Sequence, residues 1–130
     1  MEDNLKKINI HKALSCSLDE SIENIANKLK EHKERRIFVN DKAGNLVGII
    51  TTTDLVYKAL CFGNKCSKMN ASDVMVKDVK SVDLSEDFEK ALEIMNSIKS
   101  FTCPVTDNRK LVGVISYHEL VDYLFNSVRK

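Results

Sequence analysis

Apolar residues along this chain recur at two spacings, and the two alternate. Ile22, Ile25, Ala26 and Leu29 keep to one face of a helix, as do Phe88, Ala91, Leu92 and Met95. Around them lie short stretches that read as strands, at 13–16, 36–39 and 46–51, and again at 79–82, 102–106 and 111–116. Polar turns, NDKAGN and TDNRK, separate the second and third strands of each set, so hairpin pairing is expected. A last helix closes each set, with Leu55, Val56, Ala59 and Leu60 in one and Leu120, Val121, Leu124 and Phe125 in the other. The fragments SLDE and DLSE, at 17–20 and 83–86, look like capping boxes ahead of the first helices.

The two sets are copies of one unit. A shift of 66 places Ser15 on Ser81, Leu18 on Leu84, Glu20 on Glu86, Glu23 on Glu89, Lys33 on Lys99 and Val39 on Val105. One residue is lost in the second turn, where length changes at little cost. A shift of 65 then pairs Leu46, Val47, Gly48 and Ile50 with Leu111, Val112, Gly113 and Ile115. Each copy reads strand–helix–strand–strand–helix. The first helix is long enough to be a crossover, so the strands flanking it should lie parallel, with a right-handed connection. A single copy makes a thin core. The expectation is therefore an α/β (α+β) fold, two β-α-β-β-α repeats packed about a pseudo-twofold axis as one domain. The division expected is 1–7 as a lead, 8–62 as repeat one, 63–72 as connector and 73–130 as repeat two.

Composition narrows the classes. With 130 residues, 43% hydrophobic and 30% charged, the chain reads as globular rather than disordered. A net charge of +1 gives no field suited to a polyanion, so no nucleic-acid partner is expected. No apolar run approaches the ~20 residues of a membrane span, and the acidic start lacks a signal-peptide core. A cytoplasmic protein with four reduced cysteines is the expectation.

Candidate chemistry gathers at GIITTTDL and its mate GVISYHEL. Their shared frame is a glycine, then a hydroxyl, then an acid three residues on: Thr51 with Asp54, and Ser116 with Glu119. Both fit a capping box, and both would also serve a ligand. Cys16 aligns with Val82 and Cys103 with Ile37, so core packing is expected of both thiols. Cys61 and Cys66 lack a second pair, and no metal is assigned to them. His118 suits either an exposed first turn or a phosphate contact. Arg35 and Arg36 suit solvent or a phosphate, and His11 and His32 read as surface residues. No nucleophile–base–orienter set and no Walker-type loop emerges, so no enzyme and no cofactor is expected.

The order of elements, the Val74-Met75 lead before repeat two, the strand start Cys103-Pro104-Val105 and the run Gly-Ile-Ile-Thr-x-x-Asp resemble the cystathionine-β-synthase (CBS) domain over about 8–127. That resemblance implies a tandem regulatory module with two clefts between its repeats. It implies adenosine compounds as ligands: AMP, ADP, ATP or S-adenosylmethionine. It puts Thr51 and Ser116 near phosphates and Asp54 and Glu119 on ribose hydroxyls; Thr53, His118 and Arg36 are carried as further ligand-binding candidates. A carboxylate accepts from two hydroxyls at once, and a helix start offers free N–H groups to an anion. Adenine would lie against Cys16, Phe38 and Val39, or Val82, Pro104 and Val105. The chain departs from the family pattern at Glu34, Ser100, Phe38 and Glu119. The resemblance also implies a homodimer formed through the repeat helices and an unidentified effector protein. A module with vestigial clefts that serves only association is the alternative, and a redox- or metal-responsive protein using Cys61 and Cys66 is a third.

Overall fold

The structure, a computed structural model, describes Leu5 and residues 8–129, with side chains through 126. Its elements run β1 (Ser15–Ser17), α1 (Ile22–His32), β2 (Arg36–Asn40), β3 (Leu46–Thr51) and α2 (Thr52–Lys58). A 3-10 segment (Leu60–Lys68) and α3 (Ala71–Val74) follow. Then come β4 (Val82–Asp83), α4 (Phe88–Ile98), β5 (Thr102–Asp107), β6 (Lys110–Ser116) and α5 (Tyr117–Arg129). Two three-stranded sheets result, β1-β2-β3 and β4-β5-β6. In each, the crossover strands are parallel and the hairpin strands antiparallel, as the repeat pattern requires. The described chain divides into two compact units, one of residues 14–79, the other of 80–129 with the described part of 1–13.

Each first helix is capped one turn later than the sequence suggests. In α1 the Ser21 hydroxyl accepts from the Asn24 N–H, and in α4 the Asp87 carboxylate accepts from Lys90. SLDE and DLSE instead close the turns before the helices, where Glu20 and Glu86 reach back to the N–H groups of Ser17 and Asp83. The reach-back half of a capping box is present, but the chain must first leave its strand before it can wind. Both helices end alike, on Lys33 and Lys99 with φ of 54° and 53°, whose N–H groups close onto the last turn.

The inward faces form two cores. In the 14–79 unit, Ile22, Ile25 and Leu29 of α1 meet Cys16, Ile37, Val39 and Ile50 of the sheet. In the other, Phe88, Ala91, Ile94 and Met95 meet Val82, Cys103, Val105 and Ile115, with Leu120 of α5. Cys103 thus takes the place of Ile37, the exchange of thiol for aliphatic expected from the alignment. Leu5 and Ile8 also join this second core.

Residues ahead of each first strand serve the sheets. His11 exchanges backbone hydrogen bonds with Val114 of β6, at 2.9 and 2.8 Å. Val76 does the same with Ile49 of β3, at 2.8 and 3.0 Å. Residues 8–13 therefore pack with the unit that contains repeat two rather than with β1. Gly48 and Gly113 make these approaches possible. A Cβ on Gly113 would strike the His11 carbonyl oxygen, and one on Gly48 would come within 2.5 Å of the Met75 sulfur.

The connecting stretch is folded. Its 3-10 segment kinks at Gly63, where φ is 63°, and α3 buries Ala71 and Val74 fully. Leu60 was expected to extend the apolar face of the last helix, but the chain leaves helical geometry at Ala59 and Leu60 is exposed. The two hairpin turns differ as the missing residue demands. The longer is held by the Asp41 carboxylate, which accepts from Ala43 and Asn45, while the shorter places Asn108 and Arg109 both at positive φ.

Candidate functional site

Each unit brings its candidate residues together where the last strand becomes a helix. At the first junction the Thr51 hydroxyl accepts from the Asp54 N–H at 3.2 Å. The Asp54 Oδ2 accepts in return from the Thr51 N–H at 2.9 Å and from its hydroxyl at 3.1 Å. The other oxygen, Oδ1, stands 3.2 Å from Lys58 Nζ, one turn along α2. This is a closed capping box, and the Asp54 side chain is only 13% exposed within it. Arg36 lies directly across the β2–β3 ladder from Thr51, so a guanidinium-bearing residue and the cap share one face of the sheet. Thr53 is exposed in the first turn of α2.

The second junction starts from the same frame and closes differently. The Ser116 hydroxyl accepts from the Glu119 N–H at 3.1 Å. The Glu119 carboxylate is not drawn into that cap, however. Its Oε1 meets Nε2 of His11 at 2.6 Å. Thr102 stands across the ladder from Ser116, at the position Arg36 holds in the other unit. His118 is exposed and pairs with Asp122 at 3.2 Å, so it points along the outside of α5. Phe101 and Tyr117 sit edge to face with ring centres 6.2 Å apart.

The six apolar residues expected to line a slot are divided by strand alternation. Cys16, Val39, Val82 and Val105 belong to the helix-facing cores, where their side chains are already packed. Phe38 and Pro104 are buried but stand outside both clusters, on the opposite faces of their sheets. Phe38 shares its face with Arg36 and Thr51, and Pro104 shares its face with Thr102 and Ser116. The structure therefore assembles Arg36, Phe38, Thr51 and Asp54 in one unit, and Pro104, Ser116, Glu119 and His11 in the other. His11 is the member that sequence reasoning missed. Nothing in the residues around it signals a partner 108 positions away.

The thiols in the cores are held neutral. Burial, and secondarily the Glu20 carboxylate, push Cys16 up from 9.0 to about 12, against the opposing pull of Lys28. Burial pushes Cys103 to about 11. Neither is a nucleophile near neutral pH. Cys61 is exposed and donates to the Tyr57 carbonyl, and Cys66 is half-buried. Among the described residues, no three His, Cys, Asp or Glu side chains gather in a metal-holding group. An open groove of about 680 Å³ is walled by Ile22, Ala26, Leu55, Val56 and Leu60; neither Thr51 nor Asp54 lines it. What the two junctions offer is an acceptor carboxylate, a hydroxyl and backbone N–H groups, a set suited to holding a ligand rather than to transforming one.

The family model of the CBS domain matches residues 5–60 and again 71–126. YlbB, an uncharacterized protein of Bacillus subtilis, is 30% identical over 106 residues, covering 81% of this chain and 71% of that protein. Relatives from Methanopyrus kandleri and Acidianus ambivalens are matched over 56% and 63% of their own length. A CBS-domain containing protein of Agrobacterium tumefaciens shares the fold with a TM-score of 0.66 at 28% identity, over 86% of this chain and 84% of that one. The cytosolic domain of the Mg2+ channel MgtE, solved in complex with ATP, gives a TM-score of 0.77 at 19% identity, over 95% of this chain and 49% of the other. No helix among the described residues is long and apolar enough to cross a membrane.

Proposed function

Because the chain belongs to the CBS-domain family, whose paired repeats form a regulatory rather than a catalytic module, we propose that it binds an adenosine compound at its strand-to-helix junctions and passes occupancy to a partner protein or a second copy. The observation that carries this reading is the first junction. There, among the described residues, Asp54 turns one carboxylate oxygen to Lys58 alone, and Arg36 stands across from Thr51. Ribose hydroxyls would donate to that oxygen, Lys58 and Arg36 would meet phosphate charge, and Thr51 and Thr53 would supply hydroxyls. Phe38 supplies an apolar surface on the same face. AMP, ADP, ATP and S-adenosylmethionine all carry the required diol. The ATP complex of the MgtE domain supports an adenine nucleotide as the first choice. Ser116 and Glu119, with Pro104, would make the second and lesser position; His118, turned outward onto Asp122, is not part of it. Transmission is a population shift: ligand favours whichever arrangement it binds better, and by no more than that difference in affinity. The setting we assign is the cytoplasm, where nucleotides and reduced thiols coexist.

Thermal melting against AMP, ADP, ATP, S-adenosylmethionine and NAD tests the reading. A ligand at ~100 times its Kd adds about 2.7 kcal/mol and raises the melt by several degrees. Asp54→Ala should remove the first junction's share of that gain and leave only the smaller part owed to the second junction. A flat response to the whole panel would sink the ligand reading.

A second reading rests on a different observation. Val56 and its repeat mate Val121 are exposed, as are Leu60 and its mate Phe125. Exposed apolar residues repeated at matching positions of the two copies favour association, and a homodimer through these surfaces needs no ligand. Sedimentation equilibrium separates the two. A dimer that forms without ligand and never responds to the panel would establish this second reading in place of the first.

A further inference from the structure

Glu119 is occupied in a way that Asp54 is not. Both acids stand in the first turn of the helix that follows the last strand. Asp54 folds back onto its own cap. Glu119, one methylene longer, leaves its cap to the Ser116 hydroxyl and spends Oε1 on His11, 2.6 Å away. His11 lies in the segment ahead of β1, which holds to β6 through the His11–Val114 backbone pair. Gly113 supplies the clearance for that contact, and Ile8 anchors the segment in the core below. In the other unit the residue paired with β3 at the matching place is Val76, which has no group that could reach Asp54. The contact between acid and lead segment is therefore built once, although its scaffold is built twice.

We propose that the Glu119 carboxylate is a catch for the segment at 8–13, closed on His11 when the second junction is empty and opened when a ligand takes the carboxylate. The ligand half of this rests on the reading given under Proposed function. A vicinal diol places one hydroxyl on each carboxylate oxygen, and Oε1 then no longer serves the imidazole. With the side-chain contact gone, the segment keeps its two backbone bonds and its apolar anchor but loses its tie to α5. Occupancy of the second junction is thereby converted into looser or tighter docking of the lead segment, while the first junction has no such outlet.

Amide hydrogen exchange tests the catch first without any ligand. In Glu119→Ala the His11 and Val114 amides should exchange about two- to fivefold faster, the range expected of a contact between partly exposed groups. Val76 and Ile49 should keep their rates and serve as the internal control. The Ser116 cap survives this substitution because it uses only the Glu119 backbone, so the helix start stays intact. Glu119→Gln, which preserves an acceptor, should give a smaller change. Unaltered His11 exchange in Glu119→Ala overturns the catch whatever the ligand results. The second arm adds AMP or ATP to the wild-type chain and to Asp54→Ala, which leaves only the second junction competent. Faster His11 exchange with nucleotide, and tighter nucleotide binding by about two- to fivefold in His11→Ala, support the release. Weaker binding in His11→Ala would make His11 a ligand contact and overturn the competition. Nucleotide that binds at the second junction without changing His11 exchange overturns the coupling. Absence of binding by either nucleotide overturns the ligand half, while the result for Glu119→Ala alone still decides the catch.

Discussion

The two strand-to-helix junctions began as copies and now do different work. In both, a hydroxyl at the strand end caps the helix and an acid follows three residues later. At Thr51 the acid is short, and its carboxylate completes the box and reaches Lys58. At Ser116 it is long, and it bonds His11 of a distant segment instead. One methylene, together with a histidine where the other repeat has Val76, redirects the same local motif from self-capping to a tertiary tie. Local sequence similarity therefore predicts the cap of each helix but not the use of the remaining carboxylate oxygens.

The comparison can be broken most severely at the glycines. Gly113→Ala drives a Cβ into the backbone carbonyl of His11 and the Ile10 side chain, and backbone cannot yield cheaply. A loss of about 2–3 kcal/mol is expected, at the upper end of the overpacking range. Gly48→Ala meets the flexible Met75 side chain, which can swing aside, so about 1 kcal/mol is expected there. Urea denaturation of the two variants measures the difference, and equal losses would contradict the distinction drawn between backbone and side-chain neighbours.

The acids sharpen it at a smaller scale. Asp54→Ala removes half of a capping box and should cost about 1 kcal/mol. Glu119→Ala removes only a contact between partly exposed groups and should cost less, about 0.2–1 kcal/mol. If the Glu119 variant proves the less stable of the two by the same denaturation assay, the His11 contact is worth more than its exposure implies.

The smallest effect is one of pH. Cys16 and Cys103 occupy positions where the other repeat has Val82 and Ile37, and burial raises both thiols, to about 12 and about 11. In the unfolded chain such thiols ionise near 9.0, while in the folded chain they remain protonated. Above that value the unfolded state therefore binds fewer protons, and stability falls as pH rises. Between pH 8 and 10 the wild-type chain should lose more stability than Cys16→Val or Cys103→Val, with no difference below pH 8. Parallel curves for all three chains would show that these thiols are not desolvated as described.

Much of the fold was legible because it depends on short-range regularities. Helical spacing of Ile22, Ile25 and Leu29, the short apolar run at 37–39 and polar turns of the right length are local properties, and repetition doubled their signal. The boundaries were less legible. SLDE and DLSE matched a capping pattern, yet both were consumed by the turn that takes the chain out of its strand. The slot residues were mixed for a related reason. Sequence marks Cys16, Phe38 and Val39 alike as apolar, and only the pleat assigns Cys16 and Val39 to the core and Phe38 to the opposite face.

By itself the sequence determined that the chain is a doubled β-α-β-β-α unit of the CBS family and that Thr51, Asp54, Ser116 and Glu119 stand at matching helix starts. Helical spacing and turn length are set by neighbours a few residues apart, and these can be read directly. Tertiary structure alone decided what fills the space beside Gly48 and Gly113, and that Leu5 and Ile8 pack in the core of the second repeat. It also decided that Glu119 spends its carboxylate on His11. Those outcomes depend on segments brought together across most of the chain's length, and a contact between positions 11 and 119 leaves no periodic trace in either.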